Sequence, residues 1–402
     1  MTRPHILVAS LLPEQGYCGV QTHARAVIGF ARKQGYEARL VEPHQTSRWV
    51  RLPSSLVTRA LRRTDPERAV IWHREWAERF LRARLRSKLD ALRDQPVVIY
   101  AQDPLSARAA LALRDAGYRF RLVAVLHFNI SEAYEHQLNG FTREEGALWR
   151  ALMRVEREVL PRIDKVIFVS DYMRRIVQSR NPALSVVWQT VIPNFPEHEI
   201  ETVADAAPRA DLITIGTLEP RKNQGYLLYV LAAAKQQGFR YRMTIAGDGP
   251  SRTEWEVLAA TLGVADQVDF LGYVSGASRL LQGHRAYVHA AHMESFGIVL
   301  VEALAHGMPV FASPVGGIPE VFDDGVEGVA WPLDKPAECA QKLIAVLESP
   351  AACRAMSSAA RLRYRTRFAP GVLGPRWLEA ITADAPEAVC SGAAPELELS
   401  TT

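Results

Sequence analysis

Residues 292–309 read HMESFGIVLVEALAHGMP, and this stretch carries both the fold signal and the strongest functional signal in the chain. It lies between two short apolar runs, 286–289 and 309–312, which predict buried strands. Its segment 297–305 predicts a helix that Gly307 ends. A strand, a helix and a strand of these lengths predict a right-handed crossover between parallel strands.

The same alternation of short apolar runs and amphipathic segments continues outward in both directions. In the first half it predicts strands at 5–10, 37–41, 96–101, 121–126, 165–169 and 186–192, with helices at 20–33, 104–116 and 143–160. In the second half it predicts strands at 212–216, 241–246, 267–271, 286–289 and 309–312, with helices at 224–235, 251–262, 297–305 and 336–347. We therefore expect an α/β protein with two doubly wound domains that face a central cleft.

The length of 402 residues fits two or three domains. Prolines and acidic residues after the sixth predicted strand break the periodicity, as a linker would. The predicted division is 1–192 for the first domain, 193–208 for the linker, 209–370 for the second domain, 371–385 for a C-terminal helix that can cross back to the first domain, and 386–402 for a disordered tail.

The composition is that of a globular protein, with 48% hydrophobic and 23% charged residues. No window approaches the ~18 uncharged apolar residues that a membrane-spanning helix needs. The four cysteines form no CxxC pair, which is typical of a reduced cytosolic protein without disulfides. We therefore expect a cytoplasmic protein.

The predicted helix at 297–305 begins directly after a strand and a short loop. Its first backbone N–H groups and the positive end of its dipole form a site suited to phosphate. Glu294 and Glu302 flank this helix start, and carboxylates accept hydrogen bonds from sugar or ribose hydroxyls. Read singly, each glutamate could be structural, but their joint spacing favours a ligand.

A second motif, GTLEPRKNQ at 216–224, follows the first strand of the second half and opens a helix. Arg221 and Lys222 can clamp a diphosphate there, Arg as a fork and Lys as a point charge. Cations are unfavourable at the start of a helix. The pair therefore indicates an anionic ligand, with two solvated cations as the alternative.

A third loop, PEQGYCGV at 13–20, joins the first strand to the first helix. Gly16 and Gly19 let its backbone approach a ligand closely, although this is not the GxGxxG of dinucleotide enzymes.

His127 ends a strand and points toward the cleft, where it could contact a ligand or be a core histidine. The scattered histidines near Glu294 match no common zinc spacing, so we expect no metal site.

In these motifs the chain resembles the retaining nucleotide-sugar glycosyltransferases of the GT-B fold, in the large family four of bacterial hexosyltransferases. The similarity extends nearly end to end, over 16–35, 102–104, His127, 168–174, 191–194, 216–223, 245–250, 270–272 and 294–302. It implies transfer of a hexosyl group from a nucleoside-diphosphate sugar to a hydroxyl of a glycan, lipid-linked or small-molecule acceptor, as in polysaccharide biosynthesis.

The resemblance also implies roles for individual residues. Arg221 and Lys222 would hold the donor pyrophosphate, Glu294 the transferred sugar, and His127 would lie at the reacting sugar. The implied donor-binding residues are Gly16, Gly19, Phe296, Gly297, Ile298 and Glu302. Because cations and a helix start can meet the charge of the leaving diphosphate, we expect neither a metal nor another cofactor.

Two other functions remain open at this point. A nucleotide-sugar 2-epimerase shares the fold, and a catalytically silent nucleotide-sugar-binding protein could keep it. The combination of Glu294, Glu302, Arg221 and Lys222 argues against the silent protein. Release of free nucleoside diphosphate only in the presence of an acceptor distinguishes a transferase from an epimerase.

The segment 48–93 holds thirteen Lys and Arg against five Asp and Glu, a local charge of +8. Its part 74–93 is helical in pattern, with an aromatic foot made of Trp76, Phe80 and Leu81. A single stripe of this helix is predicted to carry Arg79, Arg82, Arg86 and Arg93. The pattern favours peripheral binding to the anionic inner face of a membrane, or recognition of an anionic acceptor. It does not favour a nucleic-acid partner. The alternative is a solvated helix face.

Overall fold

In this computed structural model the described residues are 3–14, 16, 18–200 and 210–383. The predicted tail at 386–402 and the linker residues 201–208 lie outside the described residues. The first sheet contains β1 (His5–Ala9), β2 (Ala38–Val41), β3 (Val97–Ala101), β4 (Arg121–Leu126), β5 (Lys165–Phe168) and β6 (Trp188–Val191). The second sheet contains β7 (Ala210–Ile215), β8 (Met243–Ala246), β9 (Val268–Gly272), β10 (His284–His289), β11 (Val310–Ala312) and β12 (Gly328–Ala330).

Helices connect these strands and cover both sheets. In the first half they are α1 (Gly19–Lys33), α2 (Arg48–Thr64), α3 (Pro66–Ala91), α4 (Pro104–Asp115), α5 (Glu132–Leu138), α6 (Ala147–Val159) and α7 (Asp171–Arg180). In the second half they are α8 (Gln224–Gln236), α9 (Arg252–Thr261), α10 (Ile298–Ala305), α11 (Pro336–Leu347), α12 (Pro350–Arg363) and α13 (Pro370–Thr382). Among the described residues, no helix has the length and hydrophobicity to span a bilayer.

Every strand pairing in the two sheets is parallel. The strand orders are β2-β1-β3-β4-β5-β6 and β12-β11-β10-β7-β8-β9. The chain thus reverses its direction across the first sheet between β1 and β3, and across the second sheet between β7 and β10. In open parallel sheets, ligands bind beyond the carboxyl ends of the strands at such switch points.

The structure confirms the α/β fold class with two doubly wound parallel sheets. The predicted strands are all present within about two residues of their predicted ends, because both faces of a parallel strand are buried and its sequence is a nearly continuous apolar run. Strand β12 was not predicted, since three residues at a sheet edge carry no periodic signal. Helices α2, α5, α7 and α12 were not predicted either; α2 contains Pro53 and five arginines, which hide its periodicity.

Helix α13 packs on the first sheet although it follows the second sheet in sequence. The Trp377 ring contacts the Tyr100 ring of β3, with 5.5 Å between centroids. Lys165 of β5 donates a hydrogen bond to the Ala380 carbonyl at 3.2 Å. This helix therefore joins the end of the described chain to the first half of the molecule.

The carboxyl ends of the two sheets face each other. The Glu320 carboxylate accepts hydrogen bonds from the backbone N–H groups of Asp171 and Tyr172, at 2.8 and 2.7 Å, and so satisfies the N-terminus of α7. Gly19 at the start of α1 lies against the Ile298 side chain at the start of α10: a Cβ on this glycine would be 4.0 Å from the Ile298 Cγ2. Both switch points open into the same cleft.

Candidate active site

Two loops of the second sheet meet at its switch point, one after β7 and one after β10. The backbone N–H of His292 donates to the Arg221 carbonyl at 2.9 Å. The Arg221 guanidinium donates to the Met293 carbonyl at 3.2 Å and to the Glu219 carboxylate at 2.7 Å. Arg221 therefore holds the two loops together, and Glu219 offsets much of its charge.

The partly buried Lys222 and the buried Glu294 form an ion pair between these loops. His289, the last residue of β10, lies with its Nε2 3.6 Å from the same Glu294 carboxylate. Burial alone would raise the pKa of Glu294, but the Lys222 ammonium and the His289 ring more than offset this, so its pKa lies well below the usual range. Glu294 is thus a carboxylate, and it is the ion-pair partner of Lys222 just as Glu219 is of Arg221.

The backbone of Glu294 is held from two sides. The Gly317 N–H donates to the Glu294 carbonyl at 2.9 Å, and a Cβ on Gly316 would lie only 2.0 Å from that carbonyl oxygen. The hydroxyl of Ser170, from the first domain, donates to the Ser295 carbonyl at 2.7 Å. The sequence analysis missed these functions of Gly316, Gly317 and Ser170, although the adjacent glycines after β11 are a visible signal for a close backbone approach.

Helix α10 begins directly after this peptide. Gly297 takes the N-cap position with a φ of 85°, a left-handed conformation that favours glycine. The Phe296 ring is buried and packs on Phe368 with 5.9 Å between centroids, so only its backbone is available to a ligand. Ile298 is the first helical residue, and its end of the helix faces the first domain.

Glu302 lies one turn into α10 on the same helix as Ile298. Its side chain is partly buried and makes no hydrogen bond or ion pair with the described residues. Burial raises its pKa to about 7. An unpartnered carboxyl group in this place is costly for the protein alone, which makes it a candidate to accept hydrogen bonds from a ligand.

On the first sheet, the loop between β1 and α1 is held by side chains of α1. Gln21 accepts a hydrogen bond from the Cys18 N–H at 3.2 Å and donates to the Pro13 carbonyl at 2.7 Å. Arg25 donates to the Gly16 carbonyl at 2.8 Å. Gly16 has a φ of 152°, a conformation that other residues rarely adopt, so the path of this loop favours the glycine.

His127 follows β4 at the cleft edge of the first sheet. Its Nε2 lies 3.3 Å from the side-chain Oε1 of Gln102, and its ring meets the buried His23 ring at 4.9 Å between centroids. Burial lowers the pKa of His127 to about 3. The ring is therefore neutral near pH 7 and offers a hydrogen bond rather than an acidic proton.

Glu135 of α5 is a further residue that the sequence analysis did not single out. Its carboxylate accepts hydrogen bonds from the backbone and side-chain nitrogens of Asn129, at 3.0 and 2.6 Å. Burial raises the pKa of Glu135, and the positive charge of Arg221 across the cleft opposes that rise. The cleft thus has charged groups on both walls.

The structure brings the predicted donor-side residues together. Lys222 contacts Glu294 directly, Glu302 shares a helix with Ile298, and Gly19 meets that helix from the opposite wall. Among the described residues, no group of three or more His, Cys, Asp or Glu is arranged to hold a metal ion. The individual roles of these residues remain predictions.

Comparison with known proteins matches both halves of the chain to glycosyltransferases. The family model "Glycosyltransferase Family 4" matches residues 17–195, and "Glycosyl transferases group 1" matches residues 199–363. The glycogen synthase of Mycobacterium tuberculosis is 31% identical over 306 residues, which cover 74% of this chain and 72% of that protein. A D-inositol 3-phosphate glycosyltransferase of Actinosynnema mirum is 38% identical over 151 residues, or 35% of this chain and 36% of the relative.

Solved structures share the fold over nearly the whole chain. The sucrose-phosphate synthase from Thermosynechococcus elongatus superimposes with a TM-score of 0.71 at 18% identity, over 94% of this chain and 97% of that one. Anabaena HepE in complex with UDP and glucose gives a TM-score of 0.65 at 18% identity, over 95% and 100%. At 18% identity these structures show that the fold is shared. The more similar sequence relatives show that the chain belongs to the same family. The resemblance found in the sequence is confirmed, and the chain belongs to the family 4 glycosyltransferases of the GT-B fold.

Proposed function

We propose that this glycosyltransferase moves a hexosyl group from a nucleoside-diphosphate sugar to a hydroxyl of a glycan, lipid-linked or small-molecule acceptor, with retention of the anomeric configuration. The observation that carries the proposal is the Lys222–Glu294 pair at the switch point of the second sheet, beside the start of α10. A solved structural neighbour, Anabaena HepE, binds UDP and glucose, which supports a nucleotide-sugar donor here.

The charge of the leaving diphosphate would be met by Lys222 and by the backbone N–H groups that open α10. An ammonium group has three donors, so Lys222 can keep its bond to Glu294 and still donate to phosphate oxygens. Fixed donors at the developing charge are a large source of catalysis, and they need no metal ion. We therefore propose a metal-independent reaction.

The remaining groups would orient the two substrates. Glu302 would accept hydrogen bonds from the ribose hydroxyls, and Glu294 from hydroxyls of the transferred sugar. His127, neutral at the opposite wall, would hydrogen-bond near the reacting carbon. Retention follows from the family resemblance, with the acceptor attacking from the face that the diphosphate leaves and its proton passing to the departing phosphate oxygen.

The proposal is tested by incubating the protein, in EDTA, with nucleotide-sugars and with glycan and lipid-linked acceptors. Acceptor-dependent release of nucleoside diphosphate is expected, and proton NMR of the product is expected to show the donor's anomeric configuration. Diphosphate release or sugar epimerisation without an acceptor would identify an epimerase instead. Activity that requires added Mg²⁺ or Mn²⁺ would contradict the metal-independent reaction.

We predict that kcat/KM for the donor falls as the pH is lowered from 8 to 6. The raised pKa of Glu302, about 7, means that its carboxylate becomes the neutral acid across this range. If only the carboxylate accepts the ribose hydroxyls well, kcat/KM falls about tenfold for each pH unit well below 7. In Glu302→Gln the inflection near pH 7 is expected to disappear; the same inflection in this variant would assign it to another group.

The predicted membrane-binding surface is corrected by the structure. Leu81, a member of the predicted aromatic foot, is fully buried with Leu85 and Leu89 on the packed face of α3. Arg93, a member of the predicted stripe, lies beyond the end of α3. The periodic apolar residues of α3 pack into the first domain, and its Trp76 ring is covered by the Arg79 guanidinium at 4.7 Å.

The exposed apolar surface lies on the neighbouring helix α2. Trp49, Leu52 and Leu56 are 79%, 37% and 57% exposed, and their spacings of three and four place them on one face. Helix α2 packs on α3 through the opposite, small-residue face, where Ser54 and Thr58 are buried. With five arginines and no acidic residue in α2, we propose that this face rests on an anionic membrane surface.

We predict that the protein floats with phosphatidylglycerol vesicles at low salt. Trp49→Ser combined with Leu56→Ser is expected to lower the vesicle partition coefficient by at least about 10-fold, because each large apolar side chain removed from water contributes about 1.5–3 kcal/mol. Val257→Ser combined with Leu362→Ser is the matched control, since both side chains are exposed in the second domain. Absence of flotation, or an equal decrease of the partition coefficient in both double variants, would show that this face of α2 is only solvent-exposed and does not bind membranes.

A further inference from the structure

A cavity of about 640 Å³ lies in the second domain on the side away from the cleft. It is bounded by the amino ends of β10 and β11, the C-terminal end of α10 and one face of α12. Sites for small molecules occupy about 300–1,000 Å³, so the cavity has room for a ligand larger than inorganic phosphate.

The lining of this cavity combines apolar side chains, among them Leu281, Met308 and Leu347, with cationic and polar ones. Its chemistry is supplied mainly by Arg285, Arg354, Arg361, Ser357, Ser358 and Gln282. None of the described residues that line it is Asp or Glu. A cavity with several hydrogen-bond donors and no carboxylate is suited to an anion.

Two of the arginines have charges that the protein does not neutralise. Arg285 pairs with Asp211 at 2.9 Å, so its charge is offset. Arg361 donates to the Ser357 hydroxyl at 2.8 Å, and neither it nor Arg354 forms an ion pair with any described residue. The cavity therefore holds two guanidinium groups without an ion-pair partner among the described residues, Arg361 partly buried and Arg354 exposed at its edge.

The sequence of α12 places these groups on one face. Arg354, Ser357, Ser358 and Arg361 are spaced at i, i+3, i+4 and i+7, so two hydroxyls lie between two guanidiniums. Guanidinium forks and hydroxyls are the side chains that bind phosphate oxygens with directed hydrogen bonds.

Support of a helix end accounts for only part of this arrangement. The Arg361 guanidinium lies against Gly307 at the C-terminal end of α10, where a cation is favourable to the helix dipole. That contact does not explain Arg354, the two serines, or the open volume beside them.

We propose that this cavity binds a small metabolite that carries a phosphate ester, such as a sugar phosphate, with Arg354 and Arg361 as its phosphate ligands. The site is separate from the donor cleft, but it touches α10 from the end opposite to the donor side, because His306 and Gly307 line the cavity. Binding here does not depend on the proposed transferase function.

The test is isothermal titration of the full-length protein with glucose 6-phosphate, glucose 1-phosphate, inorganic phosphate and glucose. At least one phosphate ester is expected to bind more tightly than inorganic phosphate, and glucose is expected not to bind. In Arg354→Ala combined with Arg361→Ala the affinity is expected to fall by at least about 10-fold, since hydrogen bonds to charged groups contribute about 1.5–3 kcal/mol each. Arg365→Ala combined with Arg367→Ala, which removes two exposed arginines just beyond α12, is expected to leave the affinity unchanged.

The donor cleft is distinguished by Lys222→Ala, in which the phosphate ester is expected to bind with unchanged affinity. Binding lost in Lys222→Ala and kept in the α12 double variant would place the ligand in the donor cleft and overturn the proposal. Binding of none of the phosphate esters, or equal binding of glucose, would also overturn it. If the α12 double variant does not fold, Ser358→Asp adds a negative charge at an exposed position of the cavity; it is expected to weaken binding, and unchanged affinity would refute the site.

Discussion

Replacing Lys222 by alanine is expected to lower kcat/KM for the donor by about 10- to 100-fold, the effect of losing a charged hydrogen-bond partner of a bound group. The ammonium group lies at the switch point and pairs with Glu294, which is buried beside it. Steady-state kinetics with the preferred donor measure the effect. Lys33→Ala is the matched control, because this lysine is exposed in the last turn of α1.

The variant also separates catalysis from stability. Removing one member of a buried ion pair leaves the other charge uncompensated and destabilises a protein by about 3–5 kcal/mol. Adding Glu294→Gln to Lys222→Ala removes that stranded charge, so we expect the free energy of unfolding to recover while kcat/KM stays low. Recovery of activity together with stability would show that the pair is only structural.

Replacing Gly316 by alanine is expected to destabilise the protein and lower kcat/KM together. Its φ of 59° is left-handed, and the new Cβ would lie 2.0 Å from the Glu294 carbonyl oxygen, so the Glu294 backbone must move. A displacement of about 1 Å in a catalytic group can cost about 100-fold in rate. Urea unfolding and kinetics measure the two effects.

Gly325→Ala is the control that matches the backbone conformation. Gly325 has a φ of 78° and no atom within 4 Å of a Cβ. Its substitution is expected to cost only the left-handed conformation, about 1–2 kcal/mol, and to leave kcat/KM unchanged. Equal losses of stability and normal kinetics in both variants would contradict the role given to Gly316.

The sequence predicts the fold well at strands that are buried on both faces of the sheet. Strands such as β3 and β4 are continuous apolar runs. The motif at 292–309 begins shortly after the end of β10. The motifs after β7 and β10 meet because the strand order places these two strands side by side. The direct pairing of Lys222 with Glu294, 72 residues apart, needed the three-dimensional structure.

The sequence does not predict which face of a helix packs against the protein or which backbone segments touch, because both depend on the neighbouring elements. Helix α2 packs through Ser54 and Thr58, so its apolar residues face solvent, against the usual rule. Leu81 of α3 follows that rule and is buried. The three atoms nearest to a Cβ on Gly316 would be backbone atoms of Glu294, and such a backbone approach leaves no side-chain signal in the sequence.

We propose that the loops after β7 and β10 bind the donor nucleotide. The most direct measurement is a crystal structure with the nucleoside diphosphate that binds most tightly among UDP, GDP and ADP. We predict its phosphates within hydrogen-bond distance of the Lys222 Nζ and the backbone N–H of Ile298, with the ribose hydroxyls on the Glu302 carboxylate. A nucleotide bound with its phosphates away from Lys222 and its ribose away from Glu302 would show that these loops do not hold the donor.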